Sequence, residues 1–310
     1  MNEARDFEVA LPDGLNRFGG RVKARLVGAA DAPVIVALGG ISANRFVADD
    51  GAEGPGWWSG LIGPGRALDP TRWRILGLDF AADESGSAAP SSADQAEVLA
   101  AALDAAGVNS VHAVIGASYG GMIALAFAAR YPERVAKLVV ISAAATPHSY
   151  STAQRELQRR VVALGVEAGR GEEGLAIARG MAMLTYRTSA EFGVRFEGGI
   201  VEESPLAPSA PGAYLRARGA AYPGVMSPGR FLSLSASIDR HAVDPAAVRC
   251  PVLAIGATSD TNVPAAQMEA LAAALPDARL HLRDCLQGHD MFLVEAEAIG
   301  ATIGPFLEDA

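Results

Sequence analysis

The 310-residue chain predicts an α/β fold: a mostly parallel sheet flanked by helices, with a helical cap inserted into it. Three observations lead there. Short β-branched runs alternate with longer helical patterns before residue 145 and after residue 248, as expected of parallel strands joined by helical crossovers. Between those positions the alternation stops and only helical patterns remain. Half of the residues are hydrophobic and 20% are charged, which is ample for a buried core and unlike a disordered chain.

The elements follow in order. Val34–Leu38 is a β-branched run that stops at Gly39-Gly40, a strand followed by a loop. Arg74–Leu78 is a second strand, closed by Asp79. Val98–Ala106 predicts a helix ending at Gly107, a residue suited to a left-handed C-cap. Val111–Ile115 is the third strand, and Tyr119–Arg130 a helix stopped by Tyr131-Pro132. Leu138–Ser142 and Val252–Ile255 are the fourth and fifth strands. Ala265–Ala274 is a helix ended by Pro276, Arg279–Leu282 the last strand, and Met291–Leu307 a C-terminal helix containing Gly300 and Pro305. Helical patterns in the middle stretch cover Thr152–Leu164, Glu172–Leu184, Glu191–Phe196 and Pro228–Asp239, with a proline-rich piece at Pro205–Pro211. The expected division is a core of residues 1–144 and 249–310 and a cap of residues 145–248.

Composition excludes several classes of function. Apolar stretches such as Val34–Leu38 fall far short of the roughly 18 residues a membrane span needs. A net charge of −9 argues against a nucleic-acid binder. The polar start, Met1–Asp6, predicts no secretory leader and hence a cytoplasmic protein. Cys250 and Cys285 are too few for a disulfide framework and read as small hydrophobes. No metal site is expected, because His289 and Asp290 are adjacent rather than at ligand spacing. Gly116–Gly121 lacks the lysine of a phosphate loop.

The segment that carries chemistry is Gly116-Ala117-Ser118-Tyr119-Gly120, a Gly-x-Ser-x-Gly word between a strand and a helix. Such a turn exposes Ser118 at a helix N-terminus, where the Tyr119 backbone N–H and the helix dipole face a developing oxyanion. A serine hydroxyl needs a base, itself oriented by a carboxylate. Asp260 after the fifth strand and His289 after the last give the chain order Ser, Asp, His, which is the order of the α/β-hydrolase fold. The second oxyanion donor is expected from the loop after the first core strand, at Gly40 or Ile41.

Longer words narrow the reading. Trp57-Trp58-Ser59-Gly60-Leu61-Ile62-Gly63-Pro64-Gly65, Gly174-Leu175-Ala176-Ile177-Ala178-Arg179 with Leu184-Thr185-Tyr186-Arg187, and His289-Asp290 leading into Phe292-Leu293 closely resemble the homoserine O-acyltransferase family of the α/β-hydrolase fold. The stretch from Phe231-Leu232-Ser233 to Asp239-Arg240-His241 is similar to the same family. The resemblance implies acyl transfer from acetyl- or succinyl-coenzyme A to the hydroxyl of L-homoserine, an early step of methionine biosynthesis. Ser118 would carry the acyl group in a ping-pong cycle, His289 would serve as base in both halves, and Asp260 would hold the imidazole. Arg179 would bind the acceptor's carboxylate and Asp290 its ammonium. Acyl-CoA is then a substrate and no bound cofactor is expected. The resemblance also implies a homodimer built through the cap helices.

The chain departs from the family near the acyl site. Asp79–Ser87 replaces a glycine- and serine-rich loop that often carries a cysteine, Tyr119 stands where methionine is common, and Asn44-Arg45 differs from the usual words. Arg45 as a partner for a succinyl carboxylate tilts the donor towards succinyl-CoA. The competing readings are a serine esterase, with water as acceptor, and the same transfer onto L-serine.

Overall fold

The computed structural model describes residues 3–49, 55–196, 207 and 209–309. Strands β1 (Glu3–Ala10), β2 (Arg21–Gly28), β3 (Val34–Leu38), β4 (Arg74–Leu78), β5 (Val111–Ala117), β6 (Val135–Ile141), β7 (Val252–Ala257) and β8 (Ala278–Arg283) form one sheet in the order β1-β2-β4-β3-β5-β6-β7-β8. β2 pairs antiparallel with both β1 and β4, and every other neighbour is parallel. The interior strands are apolar along nearly their whole length, as strands covered on both faces require.

Alternation along each strand feeds two cores. From β3, Val36 and Leu38 join a cluster with α1 (Ser92–Ala106) and α2 (Tyr119–Arg130), through Leu99, Leu103, Ile123 and Phe127. Ile35 and Ala37 point the other way, against Trp58 and the C-terminal helix residues Ile299, Ile303 and Phe306. Among the described residues, five α-helices lie between β6 and β7: α3 (Ser149–Glu167), α4 (Gly171–Tyr186), α5 (Ser189–Arg195), α6 (Ala210–Ala220) and α7 (Pro228–Asp239). Arg155 and Arg159 of α3 both pair with Asp239 of α7, at 2.6 and 2.7 Å. The chain closes with α8 (Ala265–Ala274), α9 (Met291–Val294) and α10 (Ala296–Glu308). Among the described residues, no helix is long and apolar enough to cross a membrane.

The structure departs from the sequence reading in four places. β1 and β2, an antiparallel pair at the sheet edge, were not anticipated, although Arg21–Gly28 alternates exposed and buried residues at its start. α1 begins at Ser92 rather than Val98, because Ser91 and Asp94 close a capping box that the apolar pattern does not register. α6 is an unexpected helix with Ser209 as its side-chain cap; it begins inside the proline-rich piece, of which residues 205, 206 and 208 lie outside the described residues. The C-terminal helix is two helices. Glu295 leaves helical geometry (φ −110°, ψ 30°) where its carboxylate takes both Nε and Nη2 of Arg283.

Trp58 ties this framework together. It is 1% exposed, stacks on Trp57 with ring centroids 4.7 Å apart, and donates its indole N–H to the Phe292 carbonyl at 2.9 Å. Trp58→Ala removes that volume and orphans a buried carbonyl. Urea unfolding of the variant is expected to show a loss of about 3–5 kcal/mol.

Candidate active site

Three loops at the carboxyl ends of β5, β7 and β8 bring Ser118, Asp260 and His289 together. Ser118 Oγ lies 2.8 Å from His289 Nε2, and His289 Nδ1 lies 2.8 Å from Asp260 Oδ2. Ser118 sits between β5 and α2 with φ 54° and ψ −119°, a conformation that L-residues rarely adopt. Its neighbours explain how the strain is held. A Cβ on Gly116 would collide with the Gly120 carbonyl, and one on Gly120 with the Leu38 carbonyl. Only glycines let α2 rise this close to β3.

Each partner is fixed in turn. Asp260 Oδ1 accepts the N–H groups of Asn262 and Val263 at 2.8 and 3.0 Å, leaving Oδ2 for the imidazole. Burial disfavours the charged imidazolium of His289, but the charge and hydrogen bond of Asp260, aided by Asp290, outweigh it and raise the pKa above the ordinary 6.5. The backbone N–H of Tyr119 has no acceptor among the described residues, nor do those of Gly40 and Ile41, so both candidate second donors remain free at the cavity wall. The Tyr119 side chain is buried elsewhere: its hydroxyl meets Ser237 Oγ at 2.6 Å and takes an N–H from Gln95 at 3.0 Å.

A cavity of about 190 Å³ opens over Ser118 and His289. Arg179 of α4 lines it, its guanidinium over the rings of Tyr222 (4.7 Å) and Tyr186 (5.3 Å), with no carboxylate partner among the described residues. Asp290 also lines it. One oxygen of Asp290 accepts Arg187 Nε at 2.7 Å, and Arg187 reaches Glu191 at 3.3 Å. Asp290 makes no side-chain cap to α9. Arg45 is a correction: it lies on the far side of its loop, paired with Asp79 at 2.9 Å and Asp6 at 3.1 Å, and does not line the cavity. Two acidic neighbours hold it there, so it provides no partner for an acyl carboxylate.

Several residues at the site carried no role in the sequence reading. Arg187 stood inside a family word without one. Tyr222 meets Ser42 Oγ through its hydroxyl at 2.7 Å, and Ser142 and His148 line the cavity with Arg155. None belongs to a local motif. Both cysteines are buried, and burial pushes their thiols up to about 11. Among the described residues, no cluster of three or more His, Cys, Asp or Glu is placed to hold a metal ion.

A strained serine at a strand-to-helix turn, a histidine and a buried aspartate in that chain order have the arrangement of a serine catalytic centre of the α/β-hydrolase type. Residues 33–296 match the α/β-hydrolase fold family. The chain is 42% identical to a homoserine O-succinyltransferase of Xanthomonas campestris pv. campestris, over 91% of this chain and 78% of that one. It is 34% identical to a homoserine O-acetyltransferase of Mycobacterium ulcerans, over 87% and 82%. The crystal structure of homoserine O-acetyltransferase from Bacillus anthracis superposes with a TM-score of 0.87 at 16% identity, covering 100% of this chain and 98% of that one. The chain belongs to the homoserine O-acyltransferase family of the α/β-hydrolase fold.

Asp260→Asn tests the assignment of the base. A histidine base works when neutral, so the acid limb of the acylation rate should lie above pH 6.5 in the parent protein. Losing the aspartate charge should move that limb to lower pH and cut the plateau rate about a thousandfold or more. A pH profile of acyl-enzyme formation checks both.

Proposed function

We propose that the protein transfers an acyl group from acyl-CoA to the hydroxyl of L-homoserine through an ester on Ser118. The observation that carries this reading is Arg179. A guanidinium facing the Ser118–His289 cavity without a carboxylate partner among the described residues suits an acceptor that brings a carboxylate of its own. Water as acceptor brings no carboxylate to it.

In the first half-reaction Ser118 attacks the thioester carbonyl while His289 takes its proton. The N–H of Tyr119, with that of Gly40 or Ile41, receives the oxyanion, the C–S bond breaks, and His289 protonates the departing thiolate. In the second half, His289 deprotonates the acceptor hydroxyl, which attacks the ester. The acyl C–O bond to Ser118 breaks and the proton returns to the serine. Asp260 holds the imidazole throughout. Arg179 binds the acceptor's carboxylate. Asp290, with Arg187 holding one of its oxygens, offers the other to the ammonium. No bound cofactor enters the cycle. The relative at 42% identity favours succinyl over acetyl as the acyl group. Methionine biosynthesis is then the pathway, and the cytoplasm, where acyl-CoA is available, the compartment. L-Serine as acceptor is the alternative, since one methylene shifts binding by only about 1–3 kcal/mol. Water as acceptor is the other.

The proposal extends to a homodimer through the cap. Tyr150, Leu157 and Leu164 recur every seven residues on α3, and Ile177 and Leu184 on α4, and each is more than half exposed. An apolar face on a cap helix serves either a partner or the protein's own core. The cavity face of α3 instead carries Ser151, Gln154, Arg155 and Gln158, leaving these apolar residues outward.

Two measurements test these readings. Thiol release from succinyl-CoA or acetyl-CoA should require L-homoserine and yield an O-acyl-homoserine by mass. Arg179→Ala should raise the homoserine KM about 10- to 100-fold with the donor KM little changed; homoserine-independent release would favour the hydrolase instead. Light scattering should give a dimer that Leu157→Glu converts to a monomer, and a monomeric parent protein would refute the interface.

A further inference from the structure

Ser142 combines two unfavourable features at one position. It follows β6 with φ 48°, a left-handed conformation that a residue bearing a side chain adopts at a cost. It is also fully buried, and its Oγ has no hydrogen-bond partner. A buried hydroxyl in that state forfeits its hydration for nothing in return. Such a side chain in a cavity wall has a hydrogen bond to offer a ligand.

Its place in the sheet says which part of a ligand. Ala117 and Ile141 are partners across the β5–β6 ladder, and the Ser118 N–H donates to the Ile141 carbonyl at 2.8 Å. Ser118 and Ser142 therefore leave adjacent strands at the same register. Both have positive φ and both line the cavity. One strand spacing, about 5 Å, separates their backbones. Whatever Ser118 carries as an ester lies beside Ser142.

A second orphan sits six residues on. His148 Nδ1 is buried without a partner, and the residue lines the same cavity. His148 precedes α3 and gives that helix no side-chain cap, and the first turn of α3 holds no acidic residue. The first turn of this 19-residue helix thus carries no acidic residue or side-chain cap of its own at its positive end. A hydroxyl donor, an imidazole nitrogen able to donate and a helix N-terminus together select an anion.

We propose that Ser142 and His148 recognise the distal carboxylate of a dicarboxylic acyl group, succinyl, while it is esterified to Ser118. The inference rests on Ser118 as the acyl carrier. A succinyl carboxylate extends about 4–5 Å beyond the ester carbonyl, which matches the distance to the neighbouring strand. Acetyl has no group for either residue. The donor's carboxylate and the acceptor's are then read at separate places, the first beside β6 and α3, the second at Arg179 of α4.

Acylation by mono-4-nitrophenyl succinate and by 4-nitrophenyl acetate tests this without coenzyme A or acceptor, following the 4-nitrophenolate burst and the mass of the acyl-enzyme. The parent protein should prefer the succinyl ester. Ser142→Gly tolerates the positive φ, so its thermal midpoint should not fall. It should nonetheless lose about tenfold on the succinyl ester and change less than twofold on acetyl. His148→Leu should act in the same direction. Equal losses on both esters, an unchanged ratio in both variants, or a parent protein without the preference would overturn the subsite. Failure of L-homoserine to accept the succinyl group would instead defeat the transferase reading, while the ester ratio would still decide the subsite.

Discussion

The site depends on one close approach of backbone to backbone. α2 crosses so near the end of β3 that the Gly120 N–H donates to the Gly39 carbonyl at 2.8 Å, with no room for a Cβ at Gly120. That contact holds Ser118 in its strained turn. It also fixes the Gly40–Ile41 loop beside the same serine, so the candidate nucleophile and the candidate oxyanion donors are set by a single packing event. Gly116 beneath the turn serves the same end, because its Cα must pass under the Gly120 carbonyl. The apolar strands and the nearly all-buried α2 supply the rigidity that sustains the strain.

The second constraint is charge balance under the cap. Asp290 and Glu191 would be costly as unpaired carboxylates at their depth, and Arg187 meets both. Arg155 and Arg159 are in turn committed to Asp239. These pairs couple the cap to itself and to the loop that carries His289. Tyr186 adds a stacked contact to that imidazole, with ring centroids 5.8 Å apart. The cap therefore bears on the position of His289 as well as on the shape of the cavity.

Much of this was legible in the sequence, for a physical reason. β3, β4, α2, α7 and α8 have the bounds their patterns predict, because apolar period and glycine or proline stops are local signals. Ser118, Asp260 and His289 were legible because each follows a strand end in a fixed chain order. What escaped depends on distant partners. β1 and β2 pair only with each other and with β4 at an edge, and Glu295 breaks the last helix where Arg283 of β8 grips it. Arg45 reads as a free cation until Asp6 and Asp79 are seen to flank it. Ser142 is an ordinary strand-end serine until its φ and its empty hydrogen-bonding shell are known.

Arg45 and Arg179 share a residue type and differ in their partners, and the proposed acceptor preference turns on that difference. Both are arginines on segments bordering the sheet's carboxyl edge. One is neutralised by two aspartates and turned away from the cavity; the other keeps its charge beside the candidate base, lying on two tyrosine rings. Cation–π contacts of this kind offset about 0.5–2 kcal/mol, less than a bidentate carboxylate would. A half-buried guanidinium so supported remains under-compensated in the free protein. In the proposed cycle, binding a carboxylate there would gain what the fold has withheld, and would bring the hydroxyl of the same small acceptor towards His289. Water brings no such anchor. The proposed preference for an amino-acid acceptor thus follows from the one cation at the cavity that, among the described residues, no acidic side chain neutralises.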